Sequence, residues 1–292
     1  MREAQGSELM REYWDSVAIS LPQKPKYSRF GRMVAPYWRL ERRLVVESSL
    51  TPLIPASGEE KVLLLKTDLW NEGIDDSAGD IHDFLGDIRR FAEVVGIDVS
   101  PIICRSAGSR ARDEELKVAC ADVRRLPFRS GTFDAVLDVS TLDHIPPDNI
   151  ALVIGEYKRV LREGGTLTLI FDSDTFWWVS YLRNIFNRLR CQGVGEFQFW
   201  CKLSPYWVRR KLSEHGFTIR NEFPLGILSL SPLYLIASRS NLVGKLIRSP
   251  LCSSVKGAKF TKLSRYLFPL ASQYMLVAKK REGGLKGSAG ED

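Results

Sequence analysis

The chain has 292 residues, and 44% of them are hydrophobic, so it is long enough to bury a sizeable core and lacks the composition of a disordered protein. Its 42 lysines and arginines exceed its 35 aspartates and glutamates, which gives a formal net charge of +7 at pH 7. No segment reaches the roughly 18 consecutive apolar residues of a membrane-spanning helix, and the charged N-terminus does not have the pattern of a signal peptide.

The cysteines favour a reducing compartment over a disulfide framework or a metal centre. The chain has five of them, an odd number, and they are widely spaced. No pair has the spacing of metal ligands, so no metal site is predicted. We therefore expect a cytoplasmic protein.

Residues 1–60 are predicted to form an N-terminal helical extension. A helix is expected over residues 8–17, where Tyr13 and Trp14 lie on one face and two prolines follow. A second helix, rich in arginine and aromatic residues, is expected over residues 37–50.

Strands and helices alternate along the next part of the chain. Residues 61–66 form a short, continuous apolar run that suits a strand buried on both faces. Strands that alternate with helices predict an α/β fold with parallel pairing and right-handed crossovers. The further strands are expected at 96–99, 116–121, 133–139 and 166–171, and the helices at 81–95, 150–161 and 206–215.

Three segments then occur in a characteristic order. Asp122 stands shortly before Leu126-Pro127-Phe128, a second segment follows at 133–138, and Gly164-Gly165 precedes the fifth strand. Together they resemble the second half of a class I S-adenosylmethionine (SAM)-dependent methyltransferase of the type 11-like group. The resemblance implies a Rossmann-like parallel sheet with a final antiparallel strand.

The resemblance also implies how the chain is divided. A methyltransferase-like domain follows the N-terminal extension and is interrupted by a long basic and apolar insertion before its last strand. Its sixth strand would lie at 218–223 and its last at 273–279. The domain is expected to comprise residues 61–225 and 272–281, with the insertion at 226–271 and a disordered tail at 282–292.

The resemblance implies contacts to the nucleoside of SAM at the ends of the strands. Asp98 would bind the ribose, with Val99 beside it, although an aspartate at this place is also an ordinary cap for the following turn. Asp122 and the amide of Val123 would contact the adenine ring. After the fourth strand, Asp138 and Ser140 are expected to line the same site.

The glycine-rich turn of the family is absent. Lys66-Thr67-Asp68 stands in its place, although glycine is what lets a backbone approach a cofactor closely. In one account the loop is a rebuilt site, in which Thr67, Asp68 and Glu72 contact the methionine ammonium group and Lys66 meets the carboxylate. In the other account the site is closed and the domain is non-catalytic.

Asp143 and His144 are the candidate catalytic residues. They follow the fourth strand, next to the place where the methyl group would be offered. An oxygen or nitrogen acceptor needs a base, and histidine is suited to that role near neutral pH. The alternative is that His144 only lines the cofactor pocket.

The basic charge is concentrated in the C-terminal part of the chain. Residues 223–281 contain ten lysines and arginines and no acidic residue. Residues 259–270 can form an amphipathic helix whose basic and apolar faces suit an anionic membrane surface, a lid over the acceptor, or packing on the domain. Nucleic-acid binding is not expected, because the segment contains no recognisable module.

The sequence thus predicts a SAM-dependent methyltransferase that acts on a small-molecule, glycan or lipid-linked acceptor. Two alternatives remain open. One is a non-catalytic methyltransferase-like scaffold or subunit. The other is a SAM-dependent enzyme whose chemistry is not methyl transfer, because fold does not fix reaction.

Overall fold

Seven strands form a single sheet, and a computed structural model gives their order as β3-β2-β1-β4-β5-β7-β6. The structure describes residues 2–20, 43, 45–47, 51–53, 61–73, 88, 91–111, 116–173, 201–225 and 273–282. The strands are β1 (Val62–Lys66), β2 (Ala92–Asp98), β3 (Leu116–Cys120), β4 (Phe133–Val139), β5 (Leu161–Asp172), β6 (Phe217–Leu225) and β7 (Gln273–Lys280).

The pairing of the strands confirms the predicted fold class. Strands β1 to β5 pair in parallel, whereas β7 lies between β5 and β6 and is antiparallel to both. The chain order reverses between β1 and β4, because β2 and β3 lie on one side of β1 while β4 and β5 lie on the other. The fold is therefore a Rossmann-like α/β sheet with an antiparallel last strand.

Five α-helices accompany the sheet among the described residues. They are α1 (Arg2–Ser20), α2 (Trp70–Gly73), α3 (Pro101–Arg110), α4 (Ile150–Val160) and α5 (Pro205–Glu214). Helix α3, which the sequence analysis did not predict, begins with a capping interaction: the Ser100 hydroxyl accepts a hydrogen bond from the Ile103 amide, and Pro101 occupies the first helical position. Short 3₁₀ helices occur at Thr51–Leu53, Leu142–His144 and Pro147–Asn149.

Apolar side chains are buried on both faces of the sheet, as parallel strands require. One core includes Leu65, Ile97 and Tyr157, and the other includes Leu64 and Val94. Helix α1 contributes to the first core through Met10, which is 4% exposed. The N-terminal helix is therefore packed against the sheet and shares its core.

Several predicted boundaries were wrong, and one is the start of the fifth strand, because β5 begins at Leu161 and not at residue 166. The helix expected over 81–95 extends too far, because Ala92–Val95 belong to β2 and pair with β1. The apolar residues of this stretch fit both helical and two-sided strand packing, which periodicity alone does not separate. The first helix is longer than the predicted 8–17, since α1 spans Arg2–Ser20.

Several predictions lie outside the described residues. Within the helix expected over 37–50, residues 43 and 45–47 are helical. The insertion at 226–271 and the tail after residue 282 are not described, so their predicted roles stay predictions. Among the residues that are described, no helix combines the length and apolar character needed to cross a membrane.

Candidate functional site

The carboxyl ends of β1, β2 and β4 gather most of the predicted site residues at one edge of the sheet. In open α/β folds, ligands bind in the crevice at the carboxyl edge, where the strand order reverses. Here that reversal lies between β1 and β4. The loop after β1, the end of β2 and the turn after β4 therefore form the candidate site.

Lys66, the last residue of β1, makes a buried ion pair. Its side chain is fully buried, and its Nζ lies 3.0 Å from Glu72 Oε2 and 3.5 Å from Asp68 Oδ2. The same ammonium group donates a hydrogen bond to the Asp68 carbonyl oxygen. Burial alone would lower the pKa of Lys66, but the two carboxylates outweigh it and raise that pKa. Lys66 is therefore a charged group that the loop itself neutralises.

Glu72 has one carboxylate oxygen that accepts no hydrogen bond from the described residues. Its side chain is 5% exposed, and its Oε2 accepts the hydrogen bond from Lys66 Nζ. Its Oε1 is buried and has no hydrogen-bond partner in the described part of the chain. Burial raises the pKa of Glu72, against the opposing effect of the Lys66 ammonium. An unpaired buried acceptor is costly, so this oxygen is suited to a donor from a ligand.

Thr67 connects the loop after β1 to the turn after β4. Its amide donates to the Leu137 carbonyl oxygen at 3.1 Å, and its hydroxyl lies 3.0 Å from that of Thr141. The Thr141 hydroxyl also donates to the Thr67 carbonyl oxygen at 3.0 Å. The two sides of the crevice are thus hydrogen-bonded at this point.

Asp98, at the end of β2, accepts hydrogen bonds from two loops. Its Oδ1 accepts from the Ser100 amide at 2.9 Å, and its Oδ2 accepts from the Leu69 amide at 3.3 Å. Burial, with the nearby charge of Asp68, raises the pKa of Asp98 to about 7. Gly96 lies against the Leu69 side chain, which would have to shift to accept a Cβ at that position.

Asp122 holds an arginine that the sequence analysis overlooked. The guanidinium of Arg124 bonds both carboxylate oxygens, with distances of 2.6 to 3.0 Å, and the Arg124 amide donates to Oδ1 at 2.9 Å. The neighbouring Val123 is 6% exposed and belongs to the core, and Val99 packs against that core. The i to i+2 spacing of the charged pair was a signal that could have identified it.

Asp138 is a structural residue at the end of β4. It is fully buried, and its carboxylate accepts hydrogen bonds from the Tyr157 hydroxyl at 2.7 Å and from the amides of Thr141 and Leu142 at 3.0 and 3.3 Å. Burial raises its pKa to about 6, although these donors partly offset the effect. The carboxylate is thus enclosed by donors of the protein, and the expectation that Asp138 lines a cofactor site stays a prediction.

Ser140 lies in the turn that follows. It has a positive φ of 53°, unusual for a residue other than glycine, and its amide donates to the Ile170 carbonyl oxygen at 2.7 Å. This conformation redirects the chain away from β4 toward Asp143 and His144.

The structure gives Asp143 and His144 different environments. Asp143 is 1% exposed, and its Oδ2 accepts from the Asp172 amide at 3.2 Å. Burial and the adjacent Asp172 raise its pKa well above the ordinary value. His144 is half-buried, and its ring lies edge-on to Trp14 with centroids 4.8 Å apart. Of the two, only His144 is partly accessible, and the catalytic role of Asp143 stays a prediction.

Helix α1 brings an aromatic and an acidic residue to the same edge. Trp14 contacts both His144 and Trp70, whose ring centroid is 5.8 Å away. The next residue, Asp15, accepts a hydrogen bond from the buried Ser100 hydroxyl. The sequence predicted a helix here but gave no sign that it would lie against the loops after β1, β2 and β4.

Comparisons with known proteins agree with this architecture. Residues 78–169 match the family model of a methyltransferase domain. The chain is 29% identical to mouse EEF1A lysine methyltransferase 4 over 168 residues, which are 53% of this chain and 57% of that protein. The chain thus spans little more than half of this relative.

Two solved structures share the fold. Magnesium protoporphyrin IX methyltransferase from Synechocystis, with bound SAH, aligns at a TM-score of 0.55 and 14% identity, covering 94% of this chain and 99% of that one. Geranyl diphosphate C-methyltransferase from Streptomyces coelicolor aligns at a TM-score of 0.54 and 16% identity, and the alignment covers 94% of this chain and 97% of that one. The chain thus has the fold of these SAM-dependent methyltransferases and is similar to a methyltransferase domain over residues 78–169. The matched segment begins after the loop that carries Lys66 and ends within β5.

SAM, the cofactor of the methyltransferases that the chain resembles, fits the residues of this site at some positions and not at others. The unpaired Glu72 Oε1 and the Asp98 carboxylate are acceptors at the carboxyl ends of β1 and β2, as a ligand with an ammonium group and ribose hydroxyls requires. Asp122 is already paired with Arg124, so a contact with the adenine amino group would require sharing or exchange of that arginine. The residues that fit SAM best are therefore Glu72 and Asp98, which lie beside the loop that replaces the glycine-rich turn.

Removal of the Lys66 charge tests the structural importance of the loop. Lys66→Met leaves the buried Glu72 carboxylate without its counter-ion, and we expect a loss of about 3–5 kcal/mol in the free energy of unfolding. The double variant Lys66→Met/Glu72→Met should recover most of this loss, because it removes both charges. Unfolding in denaturant measures the free energy of unfolding of the single and the double variant.

The matched control is Lys117→Met. Lys117 is 70% exposed and lies 3.6 Å from Glu93, so its loss should cost about 1 kcal/mol or less. A double variant as unstable as the single one would show that the buried pair is not what makes Lys66 necessary.

Proposed function

We propose that this protein is a SAM-dependent methyltransferase. The observation that supports this most directly is the pair of carboxylates, the buried Glu72 and the half-buried Asp98, that follow β1 and end β2 beside the point where the strand order reverses. SAM, when bound, supplies an activated methyl group on a positively charged sulfur. The protein contributes mainly by positioning the two reactants.

Asp98 would hold the ribose. Each of its oxygens accepts one backbone hydrogen bond, from Leu69 or Ser100, and a carboxylate oxygen has a second lone pair for another donor. The backbone bonds fix the carboxylate in one orientation, which prepares it for two vicinal hydroxyl groups. Glu72, Asp68 and Thr67 would form the part of the site that takes the methionine end.

His144 would act on the acceptor. Its half-buried ring lies on the turn after β4 and is held edge-on by Trp14. An imidazole in this position can take a proton from an oxygen or nitrogen acceptor as the new bond to carbon forms. The acceptor class we favour is a small molecule or a lipid-linked compound, in keeping with the basic and apolar residues of the C-terminal region.

The alternative is a non-catalytic scaffold. It is favoured by two observations: Lys66 and Glu72 neutralise each other within the loop, and Arg124 occupies the carboxylate of Asp122. Calorimetric titration of the folded protein with SAM separates the two proposals. Micromolar binding supports the enzyme, whereas no binding favours the scaffold.

Asp98→Asn should weaken SAM binding at least about tenfold, or about 1.4 kcal/mol, at pH 8. The raised pKa of about 7 adds a pH dependence: below pH 7 Asp98 is protonated and loses acceptor capacity, so the affinity of the wild-type protein should rise from pH 6 to pH 8. Titration calorimetry at both pH values measures this, and the variant should show no such rise.

Glu93→Gln is the control for that experiment, because Glu93 lies on the same strand and is 58% exposed. It should bind SAM as the wild type does. A folded Asp98→Asn protein with unchanged affinity would rule out the ribose role.

His144→Gln tests the proposed base. With an acceptor identified by transfer of label from methyl-labelled SAM, kcat should fall about 100-fold while the Kd for SAM stays unchanged. His215→Gln is the control, since His215 ends α5 and contacts the Lys211 carbonyl oxygen. An unchanged kcat would mean that His144 only lines the site.

The basic C-terminal region suggests a peripheral association with membranes. The ten basic residues of 223–281, with no acidic ones, predict sedimentation with anionic vesicles but not with neutral vesicles, and a weaker effect at high salt. Equal behaviour with the two kinds of vesicle would exclude this association.

A further inference from the structure

The loop after β1 and the end of β2 form an acid-rich cluster. It contains one ammonium group, Lys66, and three carboxylates, Asp68, Glu72 and Asp98. The charge of Lys66 balances one carboxylate, so the cluster has two negative charges in excess when all its groups are ionised. Helix α1 adds Asp15, another acidic residue, through its bond with Ser100.

The excess charge lies where water screens it poorly. The side chains of Lys66 and Glu72 are 0% and 5% exposed, and that of Asp68 is 21% exposed. In such surroundings an unbalanced charge acts more strongly than it does in water. Burial is the main cause of the raised pKa of Asp98, and the charge of Asp68 adds to it.

The unpaired oxygen of Glu72 is a second observation that points to a cationic ligand at the cluster. Its Oε1 is buried and has no partner among the described residues, although its Oε2 is bonded to Lys66. The Lys66 ammonium group donates to Glu72 Oε2 and to the Asp68 carbonyl oxygen and lies 3.5 Å from Asp68 Oδ2, and it makes no bond to Oε1. A ligand with a positive charge would satisfy this oxygen and reduce the excess.

We infer that the acid-rich cluster makes this site selective for charge, so that it binds the cationic cofactor more tightly than the neutral product. The inference rests on the proposed function. SAM carries a sulfonium, an ammonium and a carboxylate group, a net charge of +1, whereas S-adenosylhomocysteine (SAH) has lost the sulfonium charge. A cluster with excess negative charge favours the first over the second. Lys66 holds the cluster together as a permanent counter-ion.

The consequence is release of the product. The two ligands share the nucleoside and the amino-acid group, so contacts with Asp98 and Glu72 Oε1 serve both. The net charge of the cluster affects only the difference in affinity that comes from the sulfonium charge of SAM. Transfer of the methyl group removes the positive charge, and the site then holds its ligand less firmly, which limits inhibition by SAH.

The test is calorimetric titration of the full chain with SAM and with SAH at pH 8. We expect the Kd for SAH to exceed that for SAM at least about tenfold in the wild type. Glu72→Gln and Asp68→Asn each remove one negative charge, so each should reduce that ratio several-fold, mainly by weakening SAM. Asp68 is the more exposed of the two, so its variant provides the test if Glu72→Gln does not fold.

The control is Glu93→Gln, which removes an exposed negative charge from the opposite end of β2 and should leave the ratio unchanged. Equal Kd values for the two ligands, tighter binding of SAH, or an unchanged ratio in the folded variants would overturn the inference and leave the proposed function standing. Absence of binding of either ligand to the folded wild type would overturn both.

Discussion

The buried ion pair between Lys66 and Glu72 is the constraint on which the rest of the candidate site depends. A charged side chain at the end of the central strand must be neutralised within the protein, because moving it into the interior unpaired is prohibitive. Glu72 supplies the counter-charge from only six residues further along the chain. The loop between them is therefore short and closed, and it places the Leu69 amide on Asp98 and Thr67 on Thr141.

This closed loop is how the proposed cofactor site would form without a glycine-rich turn. A glycine-rich turn serves a cofactor through backbone groups, which need close approach. Here the space is used by side chains, and the available acceptors are carboxylates at the ends of β1 and β2. Such a site depends more on charge than on backbone shape, and Asp98, whose pKa rises to about 7, already responds to that charge.

The sheet and its order could be predicted from sequence, because buried parallel strands give continuous apolar runs and because the segments around Asp122 and Gly164 follow a family pattern. The environments of the acidic residues could not. Asp98, Asp138 and Asp143 all follow strands in the sequence, yet Asp138 is enclosed by donors that include Tyr157 of α4, and Asp143 lies against Asp172 of β5. Their partners are nineteen and twenty-nine residues away, beyond the reach of local spacing.

The packing of helix α1 could not be predicted from the sequence either, because its contacts are still further away along the chain. Its amphipathic pattern predicts a packed helix but not the surface that it packs against. In the structure Trp14 bridges Trp70 and His144, so one residue of the N-terminal extension contacts both sides of the crevice between β1 and β4. Because Asp15 also binds Ser100 after β2, any movement of this helix would change the electrostatics of Asp98 and the position of His144 together. The N-terminal segment is therefore part of the site that it covers.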